Sequence, residues 1–204
     1  MPIAAYKDLC IDASDAGRLQ AFYAAPLRLD VRRGDGGETW LAGPTPQHAV
    51  WINDVPEPKS VKNRVHVDVH CASVPELEDL GAQVLVPSSQ AQRWTVMADP
   101  EGQEFCASVR ESPPDYRLYE IVVDCADPTR VGEWWGEVFG VAVGYADDRS
   151  WCWLENLPGV PFEGFALQRC PRTEVGQEPG ALGRDCRRAR STHRCGGDRA
   201  PRAG

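Results

Sequence analysis

The stretch Asp8-Leu9-Cys10-Ile11-Asp12-Ala13 alternates polar and apolar positions, the period of a half-buried strand. Ser14 and Asp15 follow as N-cap candidates, and Leu19, Phe22 and Tyr23 then recur at helical spacing until Pro26 ends the helix. Leu27 to Val31 reads as a second strand and RRGDGGE as a turn. Thr39-Trp40-Leu41 and Ala49-Val50-Trp51-Ile52 give two more short strands. The predicted order is strand, helix, three strands.

The order then recurs. Val65, Val67 and Val69 alternate with His66, Asp68 and His70. Ser73 can cap a short helix carrying Val74, Leu77 and Leu80, and Gly81 suits its C-terminal turn. Gln83 to Val86, Trp94 to Met97 and Glu104 to Val109 read as strands, with Asp99-Pro100-Glu101-Gly102 as a turn. After Glu111 to Asp115, a plausible linker, YRLYEIVVDCADPTRVGEWWGEVFGVAV lines up with YKDLCIDASDAGRLQAFYAAPLRLDV of the first unit. Asp127 is the expected cap there, and Val131, Trp134, Trp135 and Val138 the expected buried stripe. Trp151 to Leu154 and Phe162 to Leu167 supply later strands. The chain is therefore α+β, built from repeated βαβββ units of about 50 residues.

Composition narrows the partners. The 204 residues carry a net charge of -8, which argues against nucleic acid, since phosphate neutralisation needs clustered Lys and Arg. No apolar run is long enough for a bilayer, and MPIAAYKDLC lacks the basic and apolar regions of a signal peptide. The eight Cys include no CxxC pair and sit mostly in apolar runs, the pattern of reduced thiols in a cytoplasmic protein.

The segment 169–204 breaks the pattern. It is rich in Arg, Gly and Pro and has almost no aliphatic periodicity. Shifting the reading frame by one base makes each new codon from the second and third bases of one residue and the first base of the next. Only the old wobble base is then free. With permitted wobble choices, Cys170 through Arg184 becomes VPEPKSVKNRVHWDV, repeating the stretch Val55 to His66. Continuing to Arg199 gives DQLIDAGATV, which parallels PELEDLGAQV of the second unit. The DNA beneath this tail is expected to hold a disrupted fourth βαβββ unit, displaced by a frameshift or a sequencing error. The alternative is an ordinary Arg-rich tail. The expected organisation is thus a first domain at 1–111 made of two units (6–54 and 64–110), a linker at 112–116, half of a second domain at 117–168, and an irregular tail. The third unit, lacking its partner, would expose a sheet edge and favour a homodimer.

Three pieces carry a family resemblance: the first strand with its capped helix and Phe22-Tyr23, the motif Val65-His66-Val67-Asp68-Val69, and the turn Asp99-Pro100-Glu101-Gly102-Gln103. Together they resemble the vicinal oxygen chelate superfamily, the glyoxalase-like and bleomycin-resistance-like proteins. That resemblance implies two units pairing into a U-shaped, open-barrel cleft. It also implies a divalent metal held from the first and last strands of each unit. Carried over by position, the first-strand ligands fall on Asp8, His66 and Glu120, and the last-strand ligand of the second unit on Cys106. The first unit has no strong ligand at its last-strand position.

Carboxylate, imidazole and thiol suit Zn, Fe, Mn or Ni. A site with one ligand missing and one replaced also fits a cleft that binds no metal. Trp40, Trp51 and Trp94 are expected to line the cleft, and Lys62 and Arg64 to place positive charge at its entrance for an anionic small molecule. Two functions stay open. One is a metal-dependent lyase, isomerase or dioxygenase. The other is a non-catalytic protein that binds a drug or aromatic compound. No P-loop, dinucleotide fingerprint or nucleophile elbow is present.

Overall fold

The computed structural model describes residues 1–170. The tail from Pro171 onward, with its shifted-frame repeat and Arg187, Arg188, Arg190 and Arg194, lies outside the described residues.

Each unit begins as the alternation predicts. In the first, β1 (Leu9–Ala13) leads into α1 (Ala16–Leu27), then β2 (Asp30–Arg33), β3 (Thr39–Ala42) and β4 (Val50–Asp54). Asp15 caps α1, its side chain accepting from the Arg18 amide. Pro26 does not end the helix. It sits inside the last turn, and the stop comes at Arg28, whose backbone is left-handed at φ 55°. The second unit runs β5 (Val65–Cys71), α2 (Val74–Glu78), β6 (Gln83–Val86), β7 (Thr95–Ala98) and β8 (Glu104–Val109). The third runs β9 (Leu118–Cys125), α3 (Pro128–Phe139), β10 (Val143–Tyr145), β11 (Trp151–Glu155) and β12 (Gly164–Arg169).

The stripe on α3 is narrower than expected. Trp134 is 55% exposed, while Gly132 and Gly136 are buried. A Cβ on Gly132 would stand 2.3 Å from Cys152 Sγ, so the glycines allow the helix to lie close on β11. Trp135 fills the space beside them, stacked on Phe139 with centroids 5.2 Å apart.

Sheet pairing departs from the expected domain plan. The first unit forms a four-stranded sheet by itself, ordered β1-β4-β3-β2. The second and third units share one open eight-stranded sheet, ordered β10-β11-β12-β9-β5-β8-β7-β6. Its centre is the antiparallel pair β5–β9, with Val67 opposite Ile121 and Asp68 opposite Glu120. The expected linker joins β8 to β9, two strands of this one sheet. The edge of β9 that was to drive homodimerisation is already covered by β5. The β5–β9 ladder satisfies the second edge of both strands, whereas β1 pairs with β4 alone.

The first unit is nonetheless tied to the second. Phe22 and Tyr23 of α1 pack on Phe105 of β8, within one apolar core that runs from Ala13 to Phe162. The turn at Asp99 to Gln103 supplies the polar half of this joint. The Glu101 carboxylate accepts from the Ser14 amide at 2.8 Å and the Asp15 amide at 2.7 Å, at the start of α1. Gln103 Nε2 donates to the Asp12 carbonyl at 2.8 Å, and the Tyr23 hydroxyl donates to Asp99 at 3.1 Å. Asp99 is buried, and that burial raises its carboxyl above the ordinary range despite the amides of Gln103 and Glu101 that it accepts.

Glu101→Ala removes two charge-assisted bonds to helix-start amides. It is expected to lower unfolding free energy by about 1–2 kcal/mol in urea titrations, with a smaller loss for Glu101→Gln.

Candidate metal centre

Alternation on β5 sends Val67, Val69 and Cys71 into the apolar core and puts His66, Asp68 and His70 on the opposite side. The neighbouring strands extend this polar face. Cys106 on β8 is in register with Asp68, and Glu120 on β9 lies opposite it. Asp124 and Gln168 continue the face across β9 and β12.

The imidazole of His66, the carboxylate of Asp68 and the thiol of Cys106 converge, their donor atoms all within 4.8 Å of one another. His66 Nε2 stands 3.4 Å from Asp68 Oδ1. Asp68 is 2% exposed and Cys106 5%, so the cluster is largely withdrawn from bulk water. One nitrogen, one oxygen and one sulfur donor at this spacing fit a tetrahedral transition ion with one open position.

Beside the cluster, Lys62 forms an ion pair with Asp124, and Gln168 Nε2 donates to Asp124 Oδ1 at 2.5 Å. Burial pushes the Asp124 carboxyl up. The Lys62 ammonium, the nearby His66 and the Gln168 bond more than offset it and hold the carboxyl below its usual value.

The expected site residues divide. His66 and Cys106 come together as the resemblance implied, and Asp68 joins them. Asp8 does not. It precedes β1 in the other sheet and pairs with Lys7 at 3.0 Å. Trp40 and Trp51 stack on each other, centroids 5.1 Å apart, also on the first unit's sheet. Trp94 immediately precedes Thr95 of β7, the strand whose Val96 is opposite Cys106. Lys62 pairs with Asp124, and Arg64 is at the surface. The sequence reading missed Asp68, whose signal was its position two residues after His66. It also missed Asp124, and Trp151 paired with Trp153 at 4.6 Å on the face carried by β11 and β12.

Compared with known families by sequence, residues 8–108 match the glyoxalase-like domain. This stretch belongs to the glyoxalase-like family of the vicinal oxygen chelate superfamily. Solved structures resemble this chain in fold. Glyoxalase I from Zea mays superposes with a TM-score of 0.58 at 13% identity, covering 81% of this chain and 66% of that one. A putative dioxygenase from Bacillus subtilis gives 0.56 at 10% identity, covering 86% and 66%. The chain thus spans about two thirds of the length of each. At these identities the likeness is one of fold. No curated protein sequence matches the chain.

The Lys62–Asp124 pair makes a pH-dependent contribution to stability. The folded carboxyl lies below its unfolded value of ~3.9, so the stabilisation is complete above that pH and is lost as pH falls through the folded value. In Lys62→Met, burial acts without the nearby ammonium. Unfolding titrations between acid and neutral pH should show the acid limb moved to higher pH, and a loss on the order of 3 kcal/mol near neutrality. An unchanged acid limb would contradict the pairing.

Proposed function

We propose that this glyoxalase-like protein is a metal-dependent enzyme acting on a small molecule, a lyase, isomerase or dioxygenase, with its ion held by His66, Asp68 and Cys106. The observation that carries the reading is the convergence of three different donor atoms on a buried polar face. A bound divalent ion would supply Lewis-acid polarisation of substrate oxygens. The protein's own groups do the rest. The apolar residues behind β5 and β8 fix the three donors in place, and the low exposure of Asp68 and Cys106 excludes water from around them. Glu120, opposite Asp68, offers a carboxylate on the same face for proton transfer. Trp94, Trp151 and Trp153 give flat apolar surface for a substrate ring, and Arg64 gives an exposed cation for an anionic group.

The thiolate favours a borderline or soft ion such as Zn²⁺ over Mg²⁺. Thiol ligation also fits a reducing, cytoplasmic setting. No helix among the described residues is long and apolar enough to cross a membrane.

The second reading is a non-catalytic binder of aromatic compounds. It is favoured by the stacked pair Trp40–Trp51, which lies on the first unit's sheet, away from the donor cluster. Elemental analysis separates the two. Metal should copurify stoichiometrically with the wild type and fall by roughly tenfold or more in His66→Ala and Cys106→Ser. Cobalt substitution should give a sulfur-to-metal absorption band that Cys106→Ser abolishes. Absence of metal, with aromatic ligand binding unaffected by His66→Ala, would sink the enzyme reading.

A further inference from the structure

The three first strands are not treated alike. β5 lies between β8 and β9, and β9 lies between β5 and β12. β1 pairs with β4 alone, and its other edge has no strand among the described residues. Cys10 and Asp12 on β1 are exposed. Yet the three units have the same internal plan. Reading outward from the first strand gives β1-β4-β3-β2, β5-β8-β7-β6 and β9-β12-β11-β10, each starting with a parallel pair.

The helix caps set the equivalence between units. Asp15, Ser73 and Asp127 are the three N-caps. Counting back from them, Asp8, His66 and Glu120 hold one position, and Cys10, Asp68 and Val122 another. The strand registers agree, since Cys10 is opposite Trp51, Asp68 opposite Cys106 and Val122 opposite Ala166. The first unit thus has the plan of one half of such an eight-stranded sheet, and no second half lies among the described residues.

The shifted frame beneath Cys170 to Arg184 says what the other half is. It reproduces VPEPKSVKNRVH, and in this chain that sequence leads into β5, a strand whose free edge is taken by another first strand. The match is constrained by chemistry of the code, not only by wobble choice. The codons of Glu174-Val175 and of Gln177-Glu178 allow only Lys or Arg in the shifted frame, and the repeat has Lys at both places, as at Lys59 and Lys62.

We propose that the gene encodes a fourth βαβββ unit in this shifted frame, and that its first strand pairs antiparallel with β1 to complete a second eight-stranded sheet. The proposal is independent of the metal reading at His66. The register of β5 on β9, His66 opposite Val122 and Asp68 opposite Glu120, transfers directly. It sets Cys10 opposite the histidine of the repeat and Asp8 opposite the aspartate two residues after it.

The test is the product of the natural gene, with its nucleotide sequence and its intact mass read together. A product longer than the 22.5 kDa chain is expected. In that product, maleimide labelling of Cys10 and hydrogen exchange of the β1 amides should be at least roughly tenfold slower than in the 204-residue chain. A natural product of 22.5 kDa would overturn the proposal. So would a longer product in which Cys10 labels as fast as in the short chain. Concentration-dependent protection of Cys10 in the short chain would assign the edge to a second copy and would equally overturn it.

Discussion

The antiparallel ladder between β5 and β9 is the constraint on which the rest of the molecule depends. A strand that already pairs on one side has a second row of amides and carbonyls to satisfy, and these two strands satisfy each other. That single choice joins the second and third units into one sheet. It sets Glu120 and Asp124 on the same face as His66 and Asp68. It also hands the apolar reverse side of β5 to α1, so that the first unit is held by packing and by the turn at Asp99 to Gln103, where the third is held by a strand ladder.

Much of this was legible in the sequence. Alternation and capping residues located all three units, because strand and helix periods are local properties of ten to fifteen residues. The pairing of units was not legible, since any first strand in a repeat is chemically suited to pair with any other. The choice depends on connection and covering, which no window of sequence contains. The site divides on the same line. His66 and Cys106 follow from position within one unit and were found. Asp8 sits at the matching position of another unit, and the strand pairing placed it in the other sheet. Asp68 was hidden by its ordinary place in an alternating strand. Asp124 and Lys62 lie 62 residues apart, and nothing local connects them.

The buried charges illustrate why a polar face on a sheet is a site and not a defect. Asp68, Asp124 and His66 would each be costly if taken from water alone. They are grouped so that a neighbouring cation, amide or donor meets each of them, and the cost falls on a few residues whose apolar backing holds them still. The fold concentrates its polar expense in the one place where chemistry can use it.

The Glu101 carboxylate that closes the start of α1 reaches across 86 and 87 residues of chain to Asp15 and Ser14. A contact of that span has a consequence in time. During synthesis, α1 leaves the ribosome with its own Asp15 cap, while the Ser14 and Asp15 amides just before it stay open until the turn at Asp99 to Gln103 has been made. The polar joint between the first and second units therefore closes only after the chain has been made through Gln103. Such a closure joins residues distant in sequence, the kind of contact that forms slowly beside a helix, which by itself takes microseconds or less.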